Sequence, residues 1–165
     1  MYFDLEGNEM KKPDDCGLYI KAPLDGSIVQ MDVPEECVLV QLGESLQFLS
    51  GGFLKATAHC VRSSKTPDMS REQLAVFMDW LPEQRIALPS YSLPYDHVVH
   101  TPHLPEGVPC LDKRIKHVKE YKEFAVNTYN AYYNAWTCAS KYRGARGGTL
   151  NGTVLLTGLL LINDV

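Results

Sequence analysis

Short apolar runs, each ended by turn-forming residues, occupy the first half of the chain. Residues 17–21 and 27–33 alternate between apolar and polar side chains, and Pro23 to Gly26 supply a turn between them. Residues 37–42 form an unbroken apolar run, which predicts a strand buried on both faces. Further runs cover residues 47–49, 54–61 and 73–78. Six short strands with Gly, Pro and Asp between them predict an antiparallel, mainly β fold such as a sandwich or jelly roll.

The second half of the chain has a different pattern. Residues 82–110 hold most of the prolines and three histidines, so we expect an extended surface loop. Residues 111–137 place apolar and tyrosine side chains at three- and four-residue spacing, which predicts one C-terminal amphipathic α-helix. The pattern predicts no element for the tail, residues 138–165. The chain thus reads as one domain with a β-core over residues 17–81, preceded by a loop over residues 1–16.

Composition and charge limit the classes of protein to which the chain belongs. The 165 residues are 45% hydrophobic, and the formal net charge of −4 gives no reason to expect nucleic acid or an anionic membrane as partner. The five cysteines are scattered without a C-x-x-C pair, which is typical of a reducing compartment. The start of the chain is polar and acidic, and the longest apolar run is shorter than the ~20 residues that a bilayer requires. We therefore expect a cytoplasmic protein, with its oligomeric state open.

One segment carries the functional signal. Residues 41–61 read QLGESLQFLSGGFLKATAHCV, and residues 70–78 read SREQLAVFM. A strand ending in a Gly-Glu turn, a serine-glycine run, a K-A-T-x-H-x-V element and a following arginine together resemble the isopenicillin N synthase-like branch of the 2-oxoglutarate- and Fe(II)-dependent dioxygenases. The pair of predicted strands at residues 17–33 and the predicted helix around residues 119–133 resemble elements of the same family. The resemblance covers about residues 17–133.

The resemblance implies a fold, a chemistry and three site residues. The fold is a partial double-stranded β-helix, a jelly-roll or cupin-like architecture, followed by a C-terminal helix. His59 matches the family's second histidine ligand of the iron, and Arg71 matches the arginine that binds the distal carboxylate of 2-oxoglutarate. Gln73 stands where the family places the hydroxyl residue that binds the same carboxylate. The implied cofactors are Fe(II) and the cosubstrate 2-oxoglutarate, with ascorbate as an auxiliary reductant, and no catalytic residue beyond the metal site is implied.

The residue types suit this chemistry. A non-haem Fe(II) oxygenase holds its metal with two histidines and a carboxylate and leaves the other positions open. The planar, permanently charged guanidinium of arginine pairs with a carboxylate in bidentate fashion. His59 taken alone is better interpreted as a half-buried structural histidine, and only the surrounding motif favours a metal ligand. Because a short connection separates His59 from Arg71, we expect neighbouring antiparallel strands to carry both into one cavity.

Two departures from the family pattern predict impaired activity. Gln73 replaces serine or threonine, and its longer amide requires a shifted pocket. The family's H-x-D iron motif is absent, and we interpret the chain as the C-terminal portion of such an enzyme, with a bare sheet edge where the first strands are lost. Tyr2-Phe3-Asp4 has the outline of this motif, but Asp4 lies in an acidic turn-like stretch and is interpreted as a loop carboxylate.

Two functions remain open. The first is an oxidoreductase that hydroxylates or otherwise oxidises a small molecule, with succinate and CO2 as co-products. The second is a non-catalytic remnant or binding module of the same fold. A separate set of histidines, His97, His100 and His103, recurs at three-residue spacing, but the prolines around them favour an exposed loop over a metal site.

Overall fold

The computed structural model describes residues 1–34, 36–105, 107–141 and 159–163, with side chains as far as residue 132. Its strands are, in chain order, β1 (Tyr2–Phe3), β2 (Glu9–Met10), β3 (Gly17–Lys21), β4 (Ile28–Gln30), β5 (Leu39–Gln41), β6 (His59–Arg62), β7 (Ser70–Arg71), β8 (Leu74–Met78) and β9 (Leu159–Asn163). Its helices are α1 (Glu44–Leu49), α2 (Tyr95–Val99), α3 (Leu111–Ile115) and α4 (Tyr121–Lys141).

The strands form three small antiparallel sheets. Sheet I has the order β2-β1-β7, sheet II the order β4-β3-β6, and sheet III the order β5-β9-β8. Every recorded pair among the described strands is antiparallel. The predicted antiparallel sheets are therefore confirmed, and the alternation at residues 17–21 coincides with β3.

Two predictions for the β-rich half were wrong. The run at residues 47–49 belongs to α1, because Glu44, Gln47 and Phe48 are buried at helical spacing after the extended Gly43. The run at residues 37–42 is not buried on both faces, since Val40 in β5 is 54% exposed. Apolar runs of this length do not by themselves distinguish a helix from a strand.

The helical half also differs from the prediction. The interval at residues 82–110 contains the single-turn helix α2, which begins directly after Pro94. The expected helix over residues 111–137 is two helices, α3 and α4, and His117 between them has a positive φ of 71° that a helix does not accommodate. The tail contributes β9, although most of residues 138–165 lies outside the described residues. None of the helices in the described part of the chain combines the length and hydropathy needed to cross a bilayer.

The main core joins the helices to the loops that precede them. Its buried members are Phe48, Ile86, Val98, Leu111, Ile115, Tyr121 and Phe124. A smaller cluster is centred on the buried Leu18 of sheet II, against which Leu39 and Ala75 of sheet III are packed. Sheet III therefore has one face turned toward sheet II.

A buried ion pair connects α1 to α3 within the main core. Nη2 of Arg114 donates to Oε1 of Glu44 at 2.6 Å, and both side chains are almost completely inaccessible to solvent. The same guanidinium donates to the hydroxyl of Thr128 in α4 and to the carbonyl oxygens of Pro109 and Cys110. Burial raises the pKa of Glu44, and the adjacent guanidinium opposes this effect. Arg114 thus holds three helices through one fully buried charge.

Candidate functional site

A cavity of about 310 Å³ lies between sheets I and II. It is lined by Tyr2, Cys16, Val61, Arg62, Ser63, Ser64, Thr66, Met69 and Arg71. The connection between β6 and β7 forms much of its wall, and the ends of β1 and β6 complete it. The lining holds two guanidinium groups, the hydroxyl groups of Tyr2, Ser63 and Thr66, and no carboxylate, which makes the cavity suitable for an anion.

Arg71 reaches this cavity because β7 pairs with β1. The register places Arg71 opposite Tyr2, and the guanidinium carbon lies 5.9 Å from the centre of the Tyr2 ring. Nη1 of Arg71 also donates to Oε1 of Gln73. The structure therefore brings two of the three predicted site residues together. Gln73 is exposed, and its side-chain amide oxygen orients the guanidinium of Arg71.

Tyr2 forms the buried end of the cavity. Burial raises the pKa of Tyr2 to about 12, the neighbouring Cys16 thiol adds to the rise, and the charge of Arg71 opposes it. The phenol therefore stays protonated at neutral pH and is available as a hydrogen-bond donor. Tyr2 and Cys16 were not predicted as site residues from the sequence. The only available signal for Tyr2 was its position in the Tyr-x-Asp outline.

A carboxylate behind the cavity wall fixes the connection between β6 and β7. Ser64 Oγ donates to one oxygen of Asp15 and the Lys65 amide donates to the other, each at 2.8 Å. The Thr66 amide in turn donates to Ser64 Oγ. The Lys65 and Ser64 hydrogen bonds, with a smaller contribution from the charge of Arg62, lower the pKa of Asp15. The hydroxyl-bearing wall is thus held in one conformation by an ionised side chain.

His59 lies on β6 and is 9% exposed. Nδ1 is 3.0 Å from the carbonyl oxygen of Thr57. Because a carbonyl oxygen only accepts hydrogen bonds, Nδ1 carries the proton in the neutral ring and Nε2 keeps its lone pair. Burial lowers the pKa of His59, and the Thr57 hydrogen bond opposes this effect. The imidazole is therefore held neutral in the tautomer that suits a metal ligand at Nε2.

The structure separates His59 from Arg71 more than expected. His59 pairs with Ile20 in sheet II, whereas Arg71 pairs with Tyr2 in sheet I, so their strands are not neighbours in one sheet. Arg71 lines the cavity and His59 does not. Since side chains alternate along a strand, His59 shares its face with Val61, which does line the cavity. His59 therefore lies two residues before the cavity-lining Val61, on the same face of β6.

Burial of the neutral imidazole predicts a pH dependence of stability. In the unfolded chain His59 takes up a proton as the pH falls below about 6.5, whereas the folded chain resists it. The unfolded state then binds more protons, so the free energy of unfolding falls from about pH 7 toward the lower folded pKa. We expect His59→Gln to flatten the change in urea midpoint between about pH 7 and about pH 5. His97→Gln, at an exposed position, should follow the parent curve, and a parallel curve for His59→Gln would contradict the assignment.

The described residues do not fit an Fe(II) site by themselves. No three His, Cys, Asp or Glu side chains converge among the residues that the structure describes, so His59 is one ligand where three are needed. Both carboxylate oxygens of Asp4 accept hydrogen bonds from Asn8 in the turn between β1 and β2. The side chains of His97, His100 and His103 are exposed.

Other residues of the motif at positions 41–61 have structural partners. The fully buried Gln47 donates to the carbonyl oxygen of Val98 and accepts from the Ala56 amide. Lys55 donates through Nζ to the carbonyl oxygens of His97 and His100. These contacts fasten α1 and the segment before β6 to the helix α2. They fix the position from which β6 begins.

Comparisons with known proteins give no match to this chain among family models, curated proteins or solved structures.

Proposed function

We propose that the chain carries the cosubstrate-binding part of a 2-oxoglutarate- and Fe(II)-dependent dioxygenase and that its oxidative turnover is impaired. The observation on which the proposal depends is the placement of Arg71, half-buried in a cavity of about 310 Å³ beside Tyr2 and the hydroxyl-bearing connection. In this proposal the three small sheets are parts of a partial double-stranded β-helix. The substrate is a small molecule oxidised with release of succinate and CO2.

The chemistry of the cavity supports a carboxylate ligand. A cavity of this size matches the lower end of small-molecule sites, and 2-oxoglutarate is a small dianion. Arg71 presents a rigid fork that is oriented by Gln73 and stacked over Tyr2. Tyr2 lies beside the guanidinium with its phenol protonated, and Asp15 holds Ser64 in the wall of the same cavity. His59, neutral with Nε2 unprotonated, is the single candidate iron ligand in this proposal.

The proposal is tested by calorimetric titration of the full chain with 2-oxoglutarate in the presence of a chelator. We expect binding to the parent chain and a loss of about 100-fold in affinity for Arg71→Met, because truncating one partner of a desolvated charge pair typically costs several kcal/mol. Arg71→Lys should fall between them, since it keeps the charge and loses the fork. Arg85→Met, an exposed arginine that does not line the cavity, is the matched control. Equal affinity of the parent chain and Arg71→Met would contradict the proposed clamp.

Turnover is tested separately by anaerobic addition of Fe(II) and 2-oxoglutarate, followed by admission of oxygen and measurement of succinate. We expect succinate close to the uncatalysed background, because the described residues offer the metal one imidazole. A charge-transfer absorption of normal strength that is lost in His59→Ala would instead identify an active dioxygenase. That result would contradict the proposed impairment of turnover without contradicting the proposed cosubstrate site.

A non-catalytic remnant or binding module of the same fold is the second candidate. The observation that favours it is the engagement of Arg71 by Gln73 and by the Tyr2 ring within the protein itself. In that case the guanidinium joins β1 to β7 as a structural element. Arg71→Met would then lower the free energy of unfolding and the parent chain would not bind 2-oxoglutarate.

A further inference from the structure

Sheet III has one face that no described element covers. Leu39 in β5 and Ala75 in β8 face sheet II and pack against Leu18. Because side chains alternate along each strand, the neighbouring positions face the opposite way. The register aligns Val40 and Val76 on either side of the central strand β9, so both strands present the same face. We call this the outer face, and its described members are Val38, Val40, Leu74, Val76 and Met78.

The outer face is apolar, uncharged and exposed. Its five side chains range from 44% exposed at Val76 to 58% exposed at Leu74. Together they present roughly 500 Å² to solvent, which lies in the upper part of the range for the largest apolar patch on a monomer. Covered by the same face of a second copy, this area corresponds to about 1,000 Å² in total, which is the least that a specific protein interface requires.

These features favour a second copy of the chain as the occupant. The five described members of the outer face include no charged side chain, so a charged partner gains no electrostatic attraction from them. An uncharged apolar face is complementary to itself, and a two-fold axis brings the same patch of two copies together. Two sheets packed face to face lie about 10 Å apart and interleave side chains such as valine, leucine and methionine.

We propose that the chain forms a two-fold dimer through the outer faces of sheet III. The dimer leaves the cavity between sheets I and II outside the interface, because none of the cavity-lining residues belongs to the outer face. The inference is therefore independent of the proposed cosubstrate site. It places the interface on a sheet face rather than on a strand edge.

The experiment is sedimentation velocity on the full chain over a wide range of protein concentrations. We expect a reversible monomer–dimer equilibrium for the parent chain. Val76→Lys should weaken the dimer by more than about 100-fold, because the two-fold axis brings two ammonium groups into one apolar interface. Leu24→Lys is the matched control, since Leu24 is 93% exposed in the turn between β3 and β4, away from the outer face. It should dimerise like the parent.

Three outcomes would overturn the proposal. They are a parent chain that stays monomeric at every concentration, an open-ended series of larger species, and a dimer that persists in Val76→Lys. The last outcome would place the contact elsewhere, for example at the edge strands of the sheets. If Val76→Lys does not fold, Val76→Thr replaces it, because threonine keeps the β-branched shape and adds a hydroxyl to the interface. It should weaken the dimer by about tenfold, and unchanged association would contradict the proposal.

Discussion

Arg114→Leu should lower the free energy of unfolding by about 3–5 kcal/mol, because it removes one partner of a buried ion pair and leaves the other without compensation. The substitution deletes the hydrogen bonds from the guanidinium to Glu44, to Thr128 and to two carbonyl oxygens. The fully buried Glu44 then loses the cation that compensates its charge. Urea unfolding followed by circular dichroism measures the loss.

Two comparisons separate this effect from ordinary loss of a surface charge. Lys122 and Glu120 form an ion pair at 2.7 Å in which both side chains are exposed, and Lys122→Ala should leave the urea midpoint close to that of the parent chain. The double variant Glu44→Leu/Arg114→Leu should be less destabilised than the sum of its single variants, since neither charge is left alone. The assignment fails if Arg114→Leu costs no more than Lys122→Ala.

Gly51→Ala should destabilise the fold by about 3 kcal/mol or more, because a left-handed backbone and a steric contact act together. Gly51 has a φ of +67°, and a Cβ atom there would lie 2.7 Å from the Cα atom of Ser92. The clash is with backbone, so the segment containing Ser92 has to move. That segment is held to Gly51 by the hydrogen bond from the Leu93 amide to the Gly51 carbonyl oxygen.

Gly7→Ala isolates the backbone contribution. Gly7 has a φ of +81°, and nothing lies within 4 Å of a Cβ atom at that position. This variant should therefore cost only the ~1–2 kcal/mol of a left-handed alanine. Thermal or urea unfolding of both variants gives the difference directly. Equal losses would show that the close approach to Ser92 has no energetic consequence.

Local sequence patterns predicted an element correctly where the tertiary contacts of that element follow the same pattern of apolar and polar positions. The alternation at residues 17–21 became β3 because Leu18 packs inward and both edges of the strand find partners. Residues 47–49 were misassigned because the side chain of Gln47 is buried by contacts with Ala56 and Val98, which lie 9 and 51 residues away in the sequence. No local periodicity reports such contacts.

The candidate site likewise combines a residue that the sequence predicted with residues that it did not. Arg71 was predicted from its motif, whereas Tyr2 and Cys16 enter the cavity only through strand pairing and folding of the first residues. The pairing of His59 with sheet II and of Arg71 with sheet I was likewise not encoded in their spacing. Chemistry-bearing residue types are visible in a sequence, but which of them share a cavity depends on long-range strand order.

The strands of sheet I are each two residues long, and this shortness bears on how tightly the cavity can hold a ligand. Because so short a ladder contributes few hydrogen bonds, opening the pairing of β1 with β7 costs less free energy than opening the packed core. Under the proposed function, only the molecules in which Tyr2 faces Arg71 are competent to bind the cosubstrate. The apparent dissociation constant is the intrinsic one divided by that competent fraction. A carboxylate that contacts both strands, as proposed for 2-oxoglutarate, would raise this fraction in turn, and binding would then be coupled to closure of sheet I.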